Sequence, residues 1–255
     1  MISNASIQYA IQDKNSHALL LLFRQDIDAQ DDLAENIRKL LREEEELLAK
    51  YHKVTVLVWS PAFTLRPENL KSKDKDTEFL EFLFGLPYPG ALSETLIQSK
   101  VKAIYHLPSQ LLKEIKSTFD SVEIRHSSAA LLDHYFKLNS ATGKSKIYAH
   151  LHRPFVEITL IKNGQLHYHN SFEFHSKEDL VYYILLLYEQ WELDREEIPL
   201  ILSGDILQDS SVYPLLYKYI ALLQFARLPL SLHTDDETYE GLAMHRFVNL
   251  LSVFS

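Results

Sequence analysis

The sequence predicts an α/β protein built from two similar subdomains, each with a mixed sheet, an antiparallel hairpin at the sheet edge and flanking helices. Segments with the apolar pattern of strands alternate with segments that have the pattern of helices. Both halves of the chain follow one order of hairpin, long helix, buried strand, helix, strand and helix, at an offset of about 145–149 residues. The polar segment 139–145 separates the halves. We therefore predict a first subdomain over 1–140 and a second over 146–255.

The first half opens with two strand patterns joined by a turn. Residues 7–11 and 18–23 flank the turn residues 13–16, and the second run is apolar enough to predict a fully buried strand. A stripe of leucine and isoleucine then predicts an amphipathic helix over 31–50, with the glutamates 43–46 on its solvated face. The other predicted elements are a buried strand at 54–59, a charged surface loop at 71–76, a strand at 102–107, a helix at 108–119, a strand at 122–126 and a helix at 128–138.

The second half repeats this order with clearer turn and cap signals. Asn163 and Gly164 both tolerate positive φ, so they predict a tight hairpin turn. Ser176 is the predicted N-cap of a helix whose first turn carries Glu178 and Asp179, which complement the helix dipole. The predicted elements are strands at 146–151, 155–161 and 165–174, a helix at 177–191, a strand at 199–202, a helix at 210–224, a strand at 228–232 and a helix at 236–253.

The composition argues against several classes of protein. The 255-residue chain has 26 basic and 35 acidic residues and a net charge of −9, which disfavours binding to a nucleic-acid backbone. It has no cysteine, so disulfides, thiol nucleophiles and thiolate metal sites are excluded. Residues 1–5 do not have the pattern of an export signal, and no apolar run approaches the roughly 20 residues of a membrane span. We therefore expect a cytoplasmic protein with no nucleic-acid or membrane partner.

Three segments carry a resemblance to a known superfamily. A strand followed by an alanine-containing helix lies at 122–132, a strand–turn–strand segment lies at 147–166, and the small-residue turn Gly241-Leu242-Ala243 follows near the end. In this order they resemble the end of the first subdomain, the second phosphate hairpin and the nucleotide-base pocket of the actin-like ATPase superfamily. The resemblance implies duplicated ribonuclease-H-like subdomains with a cleft between them. The chain also resembles a bacterial family of unknown function found chiefly in Bacteroidetes.

The residues that bind phosphate in this superfamily are missing from the matching positions of this sequence. Phosphate loops need glycines, so that backbone N–H groups can approach the phosphate, and an aspartate that holds the metal or orients water. At the second hairpin the sequence is His150-Leu151-His152-Arg153-Pro154-Phe155-Val156, and the first hairpin, 6–17, also has no glycine. Only Gly204 remains of the base-binding loop. We therefore predict no catalytic residue, no cofactor and doubtful nucleotide binding.

The remaining candidates for a ligand site lie on the second hairpin and after the strand at 199–202. Ligands of α/β proteins usually bind at the carboxyl ends of strands. The candidate residues in the cleft are His150, His152, Ser203, Gly204, Asp205 and Gly241. The alternative to a ligand site is that the acidic residues of this segment serve as the N-cap and first-turn residues of the following helix.

The histidines of the second hairpin raise the question of a metal. A two-residue turn at Asn163–Gly164 places His152 opposite His175 and puts all the hairpin histidines on one sheet face, with Glu173 but not Glu157 beside them. Those histidines are at positions 150, 152, 167, 169 and 175. Since no recognised ligand spacing is present, we predict a polar cluster or cleft lining and no metal site.

Taken together, these patterns predict a non-catalytic, actin-like binding or scaffold protein, a pseudo-enzyme of its superfamily. The chain has 14 tyrosines, and any that are exposed would favour a protein partner or a homodimer. The alternative is a divergent ATPase or kinase that binds nucleotide through Asp205, Ser203 and the hairpin histidines. A third hypothesis, a metal-dependent hydrolase, requires bound zinc.

Overall fold

A computed structural model describes residues 1–3, 5–27, 33–70, 75–96, 100–140, 142–234 and 239–255. The chain divides into two compact units. The first unit comprises 1–11 and 20–130, and the second comprises 12–19 and 131–255. The tip of the first hairpin therefore belongs to the second unit.

The first unit contains three small sheets. β1 pairs with β2, β3 lies parallel to β7, and β4, β6 and β5 form an antiparallel sheet in that order. The bounds are β1 Ser6–Gln12, β2 Leu19–Asp26, α1 Leu33–Glu43, β3 Thr55–Val58, β4 Phe63–Pro67, α2 Asp76–Phe84, β5 Leu92–Leu96, β6 Val101–Tyr105, α3 Ser109–Thr118, β7 Glu123–His126 and α4 Ser127–Ser140. Helix α4 continues into the second unit.

The strand predicted at 18–23 is not fully buried. Within the described residues, β1 and β2 form a sheet of only two strands, and Leu20 is 61% exposed. A continuous apolar run fits a strand that is buried on both faces, but it also fits one whose outer face is open. The prediction of full burial was therefore wrong.

The predicted helix over 31–50 ends earlier, at Glu43. Glu44 has an extended backbone, and a separate 3-10 helix follows at Glu45–Leu48. Beyond the end of the helix, the Glu44 carboxylate accepts a hydrogen bond from the Tyr9 hydroxyl at 2.8 Å. Leu48 is 62% exposed, so it is not part of the apolar stripe. Residues 31 and 32 lie outside the described residues.

The charged segment at 71–76 only partly fits the predicted surface loop. Residues 71–74 lie outside the described residues, whereas Asp76 begins α2 and accepts hydrogen bonds from Lys102 at 2.6 Å and Arg66 at 3.1 Å. β4, α2 and β5 are not among the elements that the sequence predicts. β4 ends in a proline and β5 has three consecutive polar residues, so neither strand shows a sustained alternation of apolar and polar residues.

The second unit is built on one five-stranded sheet in the order β10-β9-β8-β11-β12. β8, β9 and β10 are antiparallel, and β11 lies parallel to β8 and β12. The bounds are β8 Lys146–His152, β9 Phe155–Lys162, β10 Gln165–Glu173, α5 Lys177–Gln190, β11 Leu200–Gly204, α6 Val212–Tyr217, β12 Leu223–Phe225, a 3-10 helix at Met244–Phe247, α7 at Val248–Leu251 and a 3-10 helix at Ser252–Phe254.

Both faces of this sheet are covered. One face packs Ile147, Ala149 and Leu151 against apolar residues of α5 and α6. The other face packs Tyr148 and Ile201 against α4 and α7. Because strand side chains alternate between faces, odd-numbered residues of β8 point to α5 and even-numbered residues point to α4 and α7.

The end of the chain differs from the prediction. The helix expected over 210–224 has only the six residues of α6, and the strand expected at 228–232 is instead β12. Pro229 has no N–H for a strand ladder, and Gly241 has a φ of +77°, which interrupts the helix expected over 236–253. Short helices follow from Met244, and 235–238 lie outside the described residues. Within the part of the chain that is described, no helix is both long and apolar enough to cross a bilayer.

Candidate functional site

The hairpin formed by β8 and β9 lies where the sequence resembles a phosphate hairpin. His152 pairs with Phe155 and His150 pairs with Glu157, so only Arg153 and Pro154 form the turn. The alternation of strand side chains places both histidines and Glu157 on the sheet face that packs against α4 and α7. All three side chains are buried. The hairpin therefore fills this face with polar side chains.

His152 and Glu157 form a buried pair. His152 Nε2 lies 3.1 Å from Glu157 Oε1. Burial opposes ionisation of the Glu157 carboxyl, but the hydrogen bond and charge of His152, with the charges of His169 and His150 nearby, outweigh it and hold the pKa of the carboxyl well below its usual range. Glu157 is therefore a carboxylate whose charge is compensated within the hairpin.

His150 is the centre of a second polar chain. Its Nε2 lies 3.3 Å from the amide nitrogen of Asn249, and its Nδ1 lies 2.9 Å from Ser203 Oγ. Both ring nitrogens of His150 therefore lie within hydrogen-bonding distance of a buried polar side chain. Ser203 Oγ also lies 3.1 Å from the Tyr135 hydroxyl. These contacts hold the His150 ring in one orientation.

Gly204 ends β11 in close contact with β8. Its φ is +80°, and a Cβ at this position would lie 2.0 Å from the Leu151 carbonyl oxygen. The next residue, Asp205, donates its backbone N–H to the same oxygen at 2.7 Å. Packing of two strand ends therefore accounts for this glycine.

Asp205 is bound to the segment that follows Gly241 in the chain. Arg246 Nη2 lies 3.3 Å from Asp205 Oδ1, and His245 Nε2 donates to the Ile206 carbonyl at 2.6 Å. The His245 ring also stacks on Phe225 at 4.0 Å, and burial lowers the pKa of this histidine. The loop after β11 is thus fixed by side chains of the 3-10 helix Met244–Phe247.

The six predicted site residues are only partly brought together. His150 contacts Ser203, the ring centroids of His150 and His152 are 5.8 Å apart, and Gly204 and Asp205 follow Ser203 in the chain. Gly241 forms an open turn, and a Cβ there would meet nothing within 4 Å among the described residues. No contact in the described structure joins Gly241 to the other five.

The predicted arrangement of hairpin histidines was wrong in two respects. His152 does not face His175, because β8 pairs with β9, and His175 lies exposed beyond the end of β10. A bulge between Leu166 and Tyr168 also shifts the register, and the His167 ring contacts Trp191 at 5.5 Å in the cluster on the α5 face. The hairpin histidines therefore do not share one face.

Glu157 belongs to the site although the sequence does not predict it there. Glu173 was predicted to share the histidine face, but it is exposed, whereas Glu157 is buried beside His152. A two-residue turn at Arg153–Pro154 pairs position 150 with position 157. Recognition of this turn would have placed Glu157 beside the histidines. Among the described residues, no group of three or more histidine, aspartate and glutamate side chains could hold a metal ion.

The alternating order of sheets and helices and the hairpin of the second unit define a protein with the actin-like ATPase fold, as the sequence predicted. The chain is similar to a protein from Bacteroides thetaiotaomicron with actin-like ATPase fold and unknown function, with a TM-score of 0.79, 20% identity and 88% of each chain covered. It is also similar to a chain of the PilM–PilN type IV pilus biogenesis complex, with a TM-score of 0.67, 12% identity, and 99% of this chain and 94% of that chain covered.

Sequence comparison assigns the family. Residues 1–223 match the family model described as protein of unknown function DUF3822, and the chain belongs to this family. No curated protein matches the chain. The predicted resemblance to the actin-like superfamily and to a family of unknown function is therefore confirmed.

Proposed function

We propose that this protein is a non-catalytic binding or scaffold protein that keeps the actin-like fold without working phosphate-binding loops. The observation that carries the proposal is the buried His152–Glu157 pair at 3.1 Å in the second hairpin. A phosphate-binding hairpin presents free backbone N–H groups and leaves space for the anion. Here two imidazole rings and a compensated carboxylate fill that face, and Pro154 provides no N–H at the turn.

The first hairpin supports the same proposal. At its tip, one carboxylate oxygen of Asp13 accepts hydrogen bonds from the backbone N–H groups of Asn15 at 3.0 Å and Ser16 at 2.7 Å, and from the Ser16 hydroxyl at 2.8 Å. These donors, with the backbone N–H of Ser16 foremost, lower the pKa of Asp13. The Asp13 carboxylate therefore already accepts hydrogen bonds from the backbone N–H groups of this turn. A phosphate would have to displace this carboxylate and would be repelled by its negative charge.

The relatives and the surface favour partner binding. The PilM–PilN complex is an assembly that contains a chain of the same fold, so this fold is compatible with a role in binding another protein. On the second unit, Tyr182, Tyr217 and Tyr219 are exposed, and exposed tyrosine is typical of protein-binding surfaces. The ligand that this proposed function requires is another protein or a second copy of this chain.

Thermal unfolding with ATP and magnesium tests the proposal. A nucleotide present at about 100 times its Kd stabilises the native state by about 2.7 kcal/mol. We expect millimolar ATP with magnesium to leave the Tm where an equal ionic strength of sodium chloride leaves it.

A saturable rise in Tm with ATP would contradict the proposal and favour the divergent ATPase or kinase. The variant Asp205→Asn provides the matched control, because that alternative places Asp205 in the nucleotide site. A rise that the variant abolishes identifies specific binding, whereas a rise that sodium chloride reproduces is an ionic effect.

A further inference from the structure

Strand β10 lies at one edge of the five-stranded sheet. It pairs with β9 on one side, and no described strand pairs with it on the other. It is the longest strand of this sheet, and it contains no lysine, arginine or proline. Proteins usually protect a long open edge with such residues or cover it with another element. The outer edge of β10 is therefore able to pair with a further strand.

Two hydrogen bonds show which backbone groups of β10 point outwards. Directly after the strand, the Phe174 N–H donates to the Pro154 carbonyl at 2.8 Å, on the side of β9. Successive N–H groups of a strand point to opposite sides, so the Ser171 N–H, three residues earlier, points away from β9. In agreement, it donates to the Asn170 side-chain oxygen at 2.9 Å, within its own strand. The backbone groups of Ser171 thus lie on the outer edge.

The sheet face beside this edge is aromatic. Tyr168 and Phe172 both pack against the apolar cluster on the α5 face. The Phe172 ring stacks on Tyr183 of α5 with the ring centroids 4.6 Å apart, and Tyr183 contacts Tyr182 at 5.7 Å. Tyr182 is 60% exposed. A continuous series of ring contacts therefore leads from the edge strand to the exposed surface of α5.

The side chains of β10 are arranged symmetrically about Asn170. Tyr168 precedes Asn170 by two residues, and Phe172 follows it by two. An antiparallel copy centred on Asn170 places Tyr168 of each chain opposite Phe172 of the other. Because the Ser171 backbone groups point outwards, these residues take the non-hydrogen-bonded positions, where opposite side chains are closest. Aromatic pairs at such positions stabilise a sheet, and the bulge between Leu166 and Tyr168 lies outside this overlap.

We propose that the outer edge of β10 binds the same edge of a second copy of this chain, antiparallel and centred on Asn170, so that two five-stranded sheets join into one. This inference deepens the proposed function and rests on it, since it names the partner through which a scaffold protein acts. A two-fold axis relates the copies, so the pairing closes at a dimer. The backbone groups of Ser171 in each copy then bond the opposite strand.

The charge and the spacing of side chains favour a second copy over another peptide. The stretch from Gln165 to Phe172 has no acidic residue and no lysine or arginine, so two chains of net charge −9 meet through uncharged strands. The Glu173 residues of the two copies lie at opposite ends of the pairing. Another peptide could form the same backbone hydrogen bonds, but it would match both Tyr168 and Phe172 only if it had the same spacing of aromatic residues.

The mass of the full-length protein in solution tests the pairing. We expect light scattering to give twice the 29.7 kDa of one chain. Ser171→Pro removes an outward N–H and keeps those that face β9, and Asn170→Lys places two like charges opposite each other. Each change should raise the Kd of the dimer at least tenfold, whereas Ser171→Ala keeps the N–H and the dimer. A monomeric unmodified protein, or a dimer that Asn170→Lys leaves intact, would overturn the inference.

A cysteine at the centre of the pairing tests its register. The chain has no cysteine of its own, so one added thiol is the only thiol that diamide can oxidise. In a non-hydrogen-bonded antiparallel pair the Cα atoms are about 4.5 Å apart, which suits a disulfide. We expect Asn170→Cys to form a covalent dimer and Ser171→Cys, also at an exposed position, to form much less, because Ser171 does not face its own copy. Equal cross-linking of the two variants, or none at position 170, would contradict the register.

Failure of this inference is distinguishable from failure of the proposed function. A monomer whose Tm does not respond to ATP refutes the pairing of β10 but leaves a protein that binds another partner. A dimer with a saturable ATP response refutes the non-catalytic proposal but leaves the pairing. Hydrogen exchange at the Ser171 N–H should slow as the concentration of the protein rises. Protection that requires a different protein would show that another strand covers the edge, and this also overturns the inference.

Discussion

His134 is buried on α4 with both ring nitrogens bonded. Nε2 lies 3.1 Å from the Arg227 carbonyl oxygen, to which it donates, and Nδ1 lies 2.8 Å from Ser255 Oγ. Burial lowers the pKa of this histidine to about 4, although its bond to the Arg227 carbonyl acts in the opposite direction. The folded protein therefore keeps His134 neutral at pH values where an unfolded chain binds a proton.

The pH dependence of stability follows from this difference. The contribution of a neutral His134 is complete above the ordinary pKa of 6.5 and is lost as the pH falls towards 4. At pH 5 this linkage amounts to about 2 kcal/mol relative to pH 7. We expect His134→Gln to reduce the difference in unfolding free energy between pH 7 and pH 5 by that amount, as measured by urea denaturation.

The unmodified protein, measured at both pH values, is the reference for this measurement. An unchanged difference in the His134 variant would show that other groups dominate acid destabilisation.

A second residue-scale prediction concerns Gly204. Gly204→Ala requires an unfavourable φ of +80° and places a methyl group 2.0 Å from the Leu151 carbonyl oxygen. We expect a loss of at least about 3 kcal/mol of unfolding free energy, because backbone strain and steric overlap combine. Gly164→Ala is the matched control, since its φ is +74° but its Cβ would meet nothing within 4 Å. A cost of about 1–2 kcal/mol is expected there, and equal losses would refute the role of the close contact.

The candidate site could be predicted from the sequence only at the level of residue types. The resemblance identifies His150 and His152, the carboxyl end of a predicted strand identifies Ser203 and Asp205, and the structure puts His150 within 2.9 Å of Ser203. The partner of His152 could not be found, because the turn at Arg153–Pro154 has neither asparagine nor glycine and gives no hairpin signal. One unrecognised turn thus assigned Glu157 to the wrong face.

Helix α5 shows which elements local sequence can define. The prediction that Ser176 is its N-cap is confirmed: Ser176 Oγ accepts the Asp179 N–H at 3.1 Å, and the Asp179 carboxylate accepts the Ser176 N–H at 3.0 Å. Caps of this kind depend on residues within one turn of the helix, so sequence identifies them. β4 and β5 depend instead on pairing with β6, and their sequences alone do not reveal it.

The reciprocal cap of α5 has a measurable stabilising effect. We expect Ser176→Ala to lower the unfolding free energy by about 1 kcal/mol, because the Asp179 N–H loses its acceptor. Ser176→Thr keeps a hydroxyl acceptor and should retain most of the stability. Urea denaturation of the three proteins checks this, and equal losses in both variants would mean that the side chain at 176 acts by packing.

At the scale of the whole molecule, the boundary between the two subdomains is a prediction that fragments of the chain can test. The sequence predicts a division at 140–146, whereas residues 131–140 of α4 belong to the second compact unit. In that unit the Tyr135 ring stacks on Tyr148 at 3.9 Å, and its hydroxyl contacts Ser203. These contacts bind the second half of α4 to the five-stranded sheet.

Fragments of the chain test this boundary. We expect a fragment of residues 131–255 to give a more cooperative urea transition and stronger near-ultraviolet circular dichroism than a fragment of residues 146–255, because the shorter one leaves Tyr148 and its neighbours uncovered. Adding a peptide of residues 131–145 to the shorter fragment provides the control. Equal cooperativity of the two fragments would support a boundary at 146.

The contact between Gly204 and Leu151 also bears on how ancestry is inferred for such proteins. A glycine at a position that resembles part of a nucleotide loop invites the interpretation that nucleotide binding explains it. Here the carbonyl of the neighbouring strand would exclude any larger residue even if no ligand had ever bound. Retention of glycine at this position among descendants of a common gene is therefore expected from packing alone, and it does not indicate that selection still acts on nucleotide recognition.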